Sequence, residues 1–173
     1  LGIDRSGNGN NWTVNNITYS DQVVDSPTNN FATLNPLKEG YSSPVLSEGN
    51  LKFTVSGANN YANAPSTIGM TSGKWYWEYY VINGSTGSGK NIGIHGNSVS
   101  TGQSDLPNSS FHPSITWAHH GSTSKLYQNA TSQQTGLTQP ANGDIIGFAL
   151  DMESGTNTLQ FYLYNVATGS AVT

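Results

Sequence analysis

Residues 143–151 read Gly143-Asp-Ile-Ile-Gly-Phe-Ala-Leu-Asp151, a continuous apolar run closed near each end by a carboxylate. An uninterrupted run of that length fits a strand covered on both sides. Seven residues on, Thr158-Leu-Gln-Phe-Tyr-Leu-Tyr164 alternates, which turns Leu159, Phe161 and Leu163 to one face. The link between them, Met152-Glu-Ser-Gly-Thr-Asn157, is rich in turn formers, so the pair reads as an antiparallel hairpin. Asp144 and Asp151 then stand at opposite ends of one strand, roughly 20 Å or more apart at about 3.3 Å per residue. Paired glycosidase carboxylates need about 5 to 9.5 Å, so each reads instead as a strand terminus or turn cap.

The same two-residue period recurs outward from this hairpin. In Lys74-Trp-Tyr-Trp-Glu-Tyr-Tyr-Val81 one face carries Trp75, Trp77, Tyr79 and Val81, and the other Tyr76, Glu78 and Tyr80. Leu51-Lys-Phe-Thr-Val55 sets Leu51, Phe53 and Val55 on one side. Asn91–Ile94 and Ser114–His119 are shorter strands, and Lys125–Gln128 follows a Gly121–Ser124 turn as a plausible hairpin partner. No window holds a sustained i, i+3, i+4, i+7 apolar face, so helices are not expected. Residues 1–45 differ: Gly7-Asn-Gly-Asn-Asn11, Pro27, Pro36 and Pro44 leave only Val23-Val24 and Phe31–Leu37 as apolar islands. They read as an extended arm or linker from a preceding module.

Composition bounds the function class. The chain has 173 residues, enough for one domain that buries roughly 70% of its unfolded surface. Net charge is −4 and only 9% of residues are charged, which leaves no basic surface for a nucleic-acid backbone. No apolar run approaches the ~20 residues of a membrane span. Gly, Asn, Ser and Thr number 20, 20, 22 and 18, close to half of the chain, yet 4 Trp, 9 Tyr and 5 Phe fall in short clusters. Disordered chains lack such aromatics, so this is the pattern of strands between polar turns. The absence of Cys excludes disulfides and thiolate metal sites.

Three constellations suggest chemistry. Asn83-Gly-Ser-Thr-Gly-Ser-Gly-Lys-Asn91 has the glycine and lysine spacing of a phosphate-binding loop, with Asn91 where Ser or Thr should stand. Such a loop works at a helix N-terminus, and Asn91-Ile-Gly-Ile-His-Gly-Asn97 is a poor helix, so a plain connector is expected. Of the four histidines, His119 and His120 are neighbours in a strand and must face opposite ways, so no metal site is expected from His95, His112 and that pair. Neither a catalytic set nor a cofactor site emerges. Trp75, Trp77 and Tyr79 could form a sugar-stacking platform, although a sandwich core explains them better. Trp117, His119 and Tyr127, around a strand that leads to a polar turn, are the candidate ligand-binding residues.

From Gly73 onward the order of signals resembles the SPRY domain, a concanavalin-like antiparallel β-sandwich. Gly73-Lys-Trp-Tyr-Trp-Glu-Tyr-Tyr-Val81 is similar to that family's early aromatic strand, and Asn91–Ile94 to its next strand. Gly143–Asp151 followed by Leu159-Gln-Phe-Tyr-Leu-Tyr-Asn165 is similar to its Gly-Asp-x-Ile-Gly strand, turn and Phe-Tyr strand. Ser6-Gly-Asn-Gly-Asn-Asn-Trp12 and Asp25–Pro36 resemble junctions in large structural proteins of marine bacteriophages, where a SPRY-like module follows a lectin-like one. The family pattern continues past the Phe-Tyr strand to a final strand, whereas this sequence stops at Thr173. That departure implies a C-terminally incomplete module, within a longer polypeptide or completed by a neighbouring subunit.

The expected fold is therefore all-β: an antiparallel two-sheet sandwich over residues 46–173 after an arm at 1–45. The resemblance implies a non-enzymatic structural component of a virion appendage, a tail fibre or head decoration, located on the virion or outside the cell. Its partners would be other copies of itself or other virion proteins, with a host-surface glycan or protein as an outer contact. The rival expectations are a secreted carbohydrate-binding lectin or adhesin module, and a polysaccharide-degrading enzyme on a concanavalin-like sandwich.

Overall fold

The structure is a computed structural model that describes residues 2–22, 28–37, 44–55, 62–83, 90–96, 114–120, 123–129, 131–163 and 166–172. The chain forms two compact units, Leu1–Gly69 and Met70–Thr173. Among the described residues there is no α-helix. The Gly84–Gly89 loop, the Val23-Val24 island and His112 lie outside the described residues.

Among its described residues the first unit is built mostly from turns and irregular segments. Asp4 accepts hydrogen bonds from the Ser6 and Asn10 amides, and its own amide donates to Asn11 Oδ1. Hydrogen bonds from the Ser6 side chain first, then from the Ser6 and Asn10 amides, hold its carboxyl below the usual carboxylate range. A single 3₁₀ turn, Tyr19–Asp21, is closed by the Asp21 carboxylate reaching back to Thr18. Two short strands, β1 (Val45–Ser47) and β2 (Lys52–Thr54), pair as a hairpin whose turn runs through Glu48, Gly49 and Asn50, all with positive φ. The compact units divide after Gly69, so this hairpin groups with the N-terminal residues. It also corrects the expected Leu51–Val55 face: β2 spans only three residues, and Leu51 and Val55 are exposed.

The second unit holds the sandwich. One sheet contains β3 (Lys74–Tyr80), β8 (Ile145–Asp151), β9 (Thr158–Leu163) and β10 (Val166–Val172), in the order β10-β9-β8-β3. The other is a meander of β4 (Lys90–His95), β5 (Ser114–His120), β6 (Thr123–Gln128) and β7 (Thr131–Leu137). All pairings are antiparallel. The all-β expectation holds, and β7 and β10 are additions. Their sequences, Thr-Ser-Gln-Gln-Thr-Gly-Leu and Val-Ala-Thr-Gly-Ser-Ala-Val, carry little apolar alternation, and both strands are sheet edges.

Alternation on β8 and β9 makes the core. Ile146, Phe148 and Leu150 meet Leu159, Phe161 and Leu163 from the neighbouring strand, with Leu126 of the opposite sheet sealed against them. Phe148 stacks flat on Trp77, with centroids 5.1 Å apart, and meets Phe161 edge-on at 5.1 Å. Burial of each such side chain stabilises the fold by about 1.5–3 kcal/mol. Ile92, Ile94 and Leu137 close the far side. At one flank the two sheets are tied by a side chain: the Gln134 amide of β7 donates to the Ser170 carbonyl of β10 at 2.9 Å and accepts from its N–H at 2.8 Å.

Phe148→Ala is expected to destabilise the unit by about 3–5 kcal/mol, since it leaves a cavity and removes both aromatic contacts. Denaturant unfolding measures this, with the near-ultraviolet signal of Trp77 lost in the same variant.

Candidate functional site

The carboxylates around β8 serve the backbone. Asp144, almost fully buried, accepts from the Ala141 amide at 2.6 Å and fixes the turn into the strand. Asp151 accepts from the Glu153 and Ser154 amides and the Ser154 hydroxyl, and pairs with Lys74 Nζ at 2.8 Å across the β3–β8 ladder. The Lys74 contact first, then the Ser154 and Glu153 contacts, hold its carboxyl well below the usual range. Both residues are turn builders.

The segment that begins at Lys90 is a strand, not the helix a phosphate-binding loop needs. Lys90 opens strand β4, paired with β5, and no helix begins there. His95 is exposed, with Nδ1 2.8 Å from the Gly96 carbonyl oxygen. Among the described residues no three His, Asp or Glu side chains gather in a metal-binding group.

Backbone register places the three candidate ligand residues on two faces. Trp117 lies opposite Ile92 and Leu126, and His119 opposite Lys90 and Ser124, so both hold positions on the core-side face of their sheet. Tyr127 pairs with Thr116 and sits between Leu126 and Gln128, on the opposite face. One signal there went unread in the sequence: Ser124 is fully buried and its Oγ has no partner among the described atoms.

A more coherent surface lies on the outer face of the other sheet. Trp77, Tyr79 and Val81 turn toward the core, and that sends Tyr76, Glu78 and Tyr80 outward. Tyr76 and Tyr80 are 56% and 59% exposed, and Ile145, cross-strand from Tyr80, is 41% exposed. The Tyr76 ring lies along the sheet over Gly147, where a Cβ would come within 2.7 Å of its hydroxyl. Glycine at 147 is therefore what lets the ring lie down. In that pose the Tyr76 hydroxyl donates to Glu78 Oε1 at 2.9 Å. The bond to the carboxylate raises the Tyr76 phenol pKa above its ordinary value, with burial adding to it. Tyr162, level with Gly147 on β9, borders the same patch. Trp75, at the end of the inward row, is 39% exposed, and its indole N–H donates to the Ser72 carbonyl. The surface joins aromatic rings to one carboxylate acceptor, a combination suited to flat apolar groups with a neighbouring donor.

The pattern of the SPRY domain matches residues 74–172, more than half of the sequence. The chain belongs to the SPRY domain family. The match begins at Lys74 and spans β3 to β10, so the sandwich unit is the SPRY domain and the aromatic patch belongs to it. No curated protein matches the chain. SPRY membership points to a protein-interaction or binding module.

Two outcomes test this geometry. Glu78→Ala removes the acceptor, so the Tyr76 phenol should titrate at lower pH, resolved by a tyrosine NMR titration. Asp151, depressed in the folded state, stabilises the protein above the ordinary aspartate pKa of about 3.9, and that contribution is lost as pH falls. Asp151→Asn should therefore lower the melting temperature at neutral pH and flatten its fall toward about pH 3, as read by thermal scans.

Proposed function

We propose that this SPRY domain is a non-enzymatic binding module of a phage virion appendage, a tail fibre or head decoration. On this reading it acts at the virion surface or outside the cell, among copies of itself or other virion proteins, and contacts a host-surface glycan or protein. The observation that carries the binding role is the outward row Tyr76, Glu78 and Tyr80, exposed on a rigid strand whose other face is anchored in the core. Aromatic side chains present large contact area at low entropic cost, and such rows are what binding surfaces use. The virion setting is supported by the resemblance of Ser6–Trp12 and Asp25–Pro36 to phage structural-protein junctions, and by a neutral surface rich in amides and hydroxyls. Against an enzyme stands the employment of Asp144 and Asp151 as turn builders.

A glycan array scored for both retention and release of reducing ends, with electron microscopy of antibody-labelled phage particles, tests the proposal. The expected outcome is regular labelling of an appendage with no cleavage of any glycan. Cleavage would replace it with the polysaccharide-degrading reading. Sugar-dependent binding without particle labelling would replace it with a secreted lectin or adhesin.

A further inference from the structure

The edges of the main sheet are not treated alike. At one edge, β10 pairs with β9 through an irregular register, and Gln134 of the other sheet occupies its Ser170 N–H and C=O. Irregularity and side-chain capping are the usual means by which an edge is protected from pairing. At the opposite edge, β3 runs seven residues in unbroken register against β8 and carries no proline.

The hydrogen bonds that frame β3 show which of its backbone groups are open. Val81 N–H donates to the Asp144 carbonyl at 2.9 Å, and Met152 N–H to the Gly73 carbonyl at 3.0 Å. In an antiparallel ladder, residues alternate between those bonded to one neighbour and those whose groups point away from it. Trp75, Trp77 and Tyr79 therefore bond to β8. Lys74, Tyr76, Glu78 and Tyr80 direct their N–H and C=O groups to the free edge, where no main-chain partner meets them among the described residues. The side chains of the same four residues are exposed.

We propose that this edge is a strand-addition site whose occupant is β3 of a second copy, antiparallel about a two-fold axis at Trp77. A two-fold pairing must match residue i with a residue of fixed index sum, and the open residues must face each other. Centring on Trp77 satisfies both and uses the whole strand: Lys74 faces Tyr80, and Tyr76 faces Glu78, each twice. An ammonium then meets an aromatic ring and a phenol meets a carboxylate, both favourable cross-strand pairs. Centring on Glu78 sets two carboxylates directly opposite. Centring on Tyr76 leaves Tyr80 opposite Ser72, beyond the strand. The charge pattern of β3 is complementary to itself in the register that gives the longest ladder, and that is the ground for naming a second copy over a foreign peptide.

The test uses the full chain and does not depend on the virion assignment. Sedimentation equilibrium is expected to show a monomer–dimer equilibrium. Glu78→Pro removes an edge-facing N–H without touching the β8 ladder, and should weaken association roughly tenfold or more while circular dichroism stays unchanged. Should that variant fail to fold, the native lack of cysteine offers a second route. Lys74→Cys and Tyr80→Cys proteins, mixed under mild oxidation, should form the mixed disulfide in preference to either homodimer. A chain that stays monomeric at every concentration, a dimer indifferent to Glu78→Pro, or cross-linking with no preference for the mixed pair overturns the proposal.

Discussion

Phe148 sits between two aromatic neighbours on two flanking strands, flat against Trp77 and edge-on to Phe161. That contact holds β8 at the centre of its sheet and fixes the parity of both neighbours. Once Trp77 is inward, Tyr79 and Val81 follow it, and Tyr76, Glu78 and Tyr80 have no choice but to face outward. A one-residue slip of β3 would drive a carboxylate into the core, at a cost the fold could not meet. The exposed aromatic row is thus a consequence of core packing, and its rigidity comes from the same source.

The parity constraint also explains how the polar groups are used. The only charged side chains on the outer face of β3 are Lys74 and Glu78, and each has a local partner, Asp151 and Tyr76. Gly147 completes the arrangement by leaving room for a ring where any side chain would stand. Gly147 is the floor beneath Tyr76.

Much of the sandwich was legible because its central strands carry strong periodicity. The apolar run at 145–151 and the alternation at 159–163 are both strands, with Leu159, Phe161 and Leu163 inward as expected, whereas β8 is not covered on both sides, since Ile145 on its outer face is 41% exposed. Edges β7 and β10 were not legible, since their sequences carry little apolar alternation and Gln134–Ser170 contacts leave no trace in composition. Leu51–Val55 misled for the converse reason: the strand there is only Lys52–Thr54, so Leu51 and Val55 lie outside it and are exposed. Trp117, His119 and Tyr127 lie around a strand that leads to a polar turn, and pairing register, which a single sequence does not state, sets their positions on alternate faces. The outward row of β3 was written in the sequence as the second face of the aromatic strand. Its importance could not be seen without knowing that β3 is an edge.

Amide hydrogen exchange resolved by residue in dilute solution tests the parity of β3 most directly. Trp75, Trp77 and Tyr79 amides, bonded to β8, should be strongly protected, and Tyr76, Glu78 and Tyr80 amides should exchange quickly. Uniform protection along the strand, or protection of the even-numbered amides alone, would contradict the account.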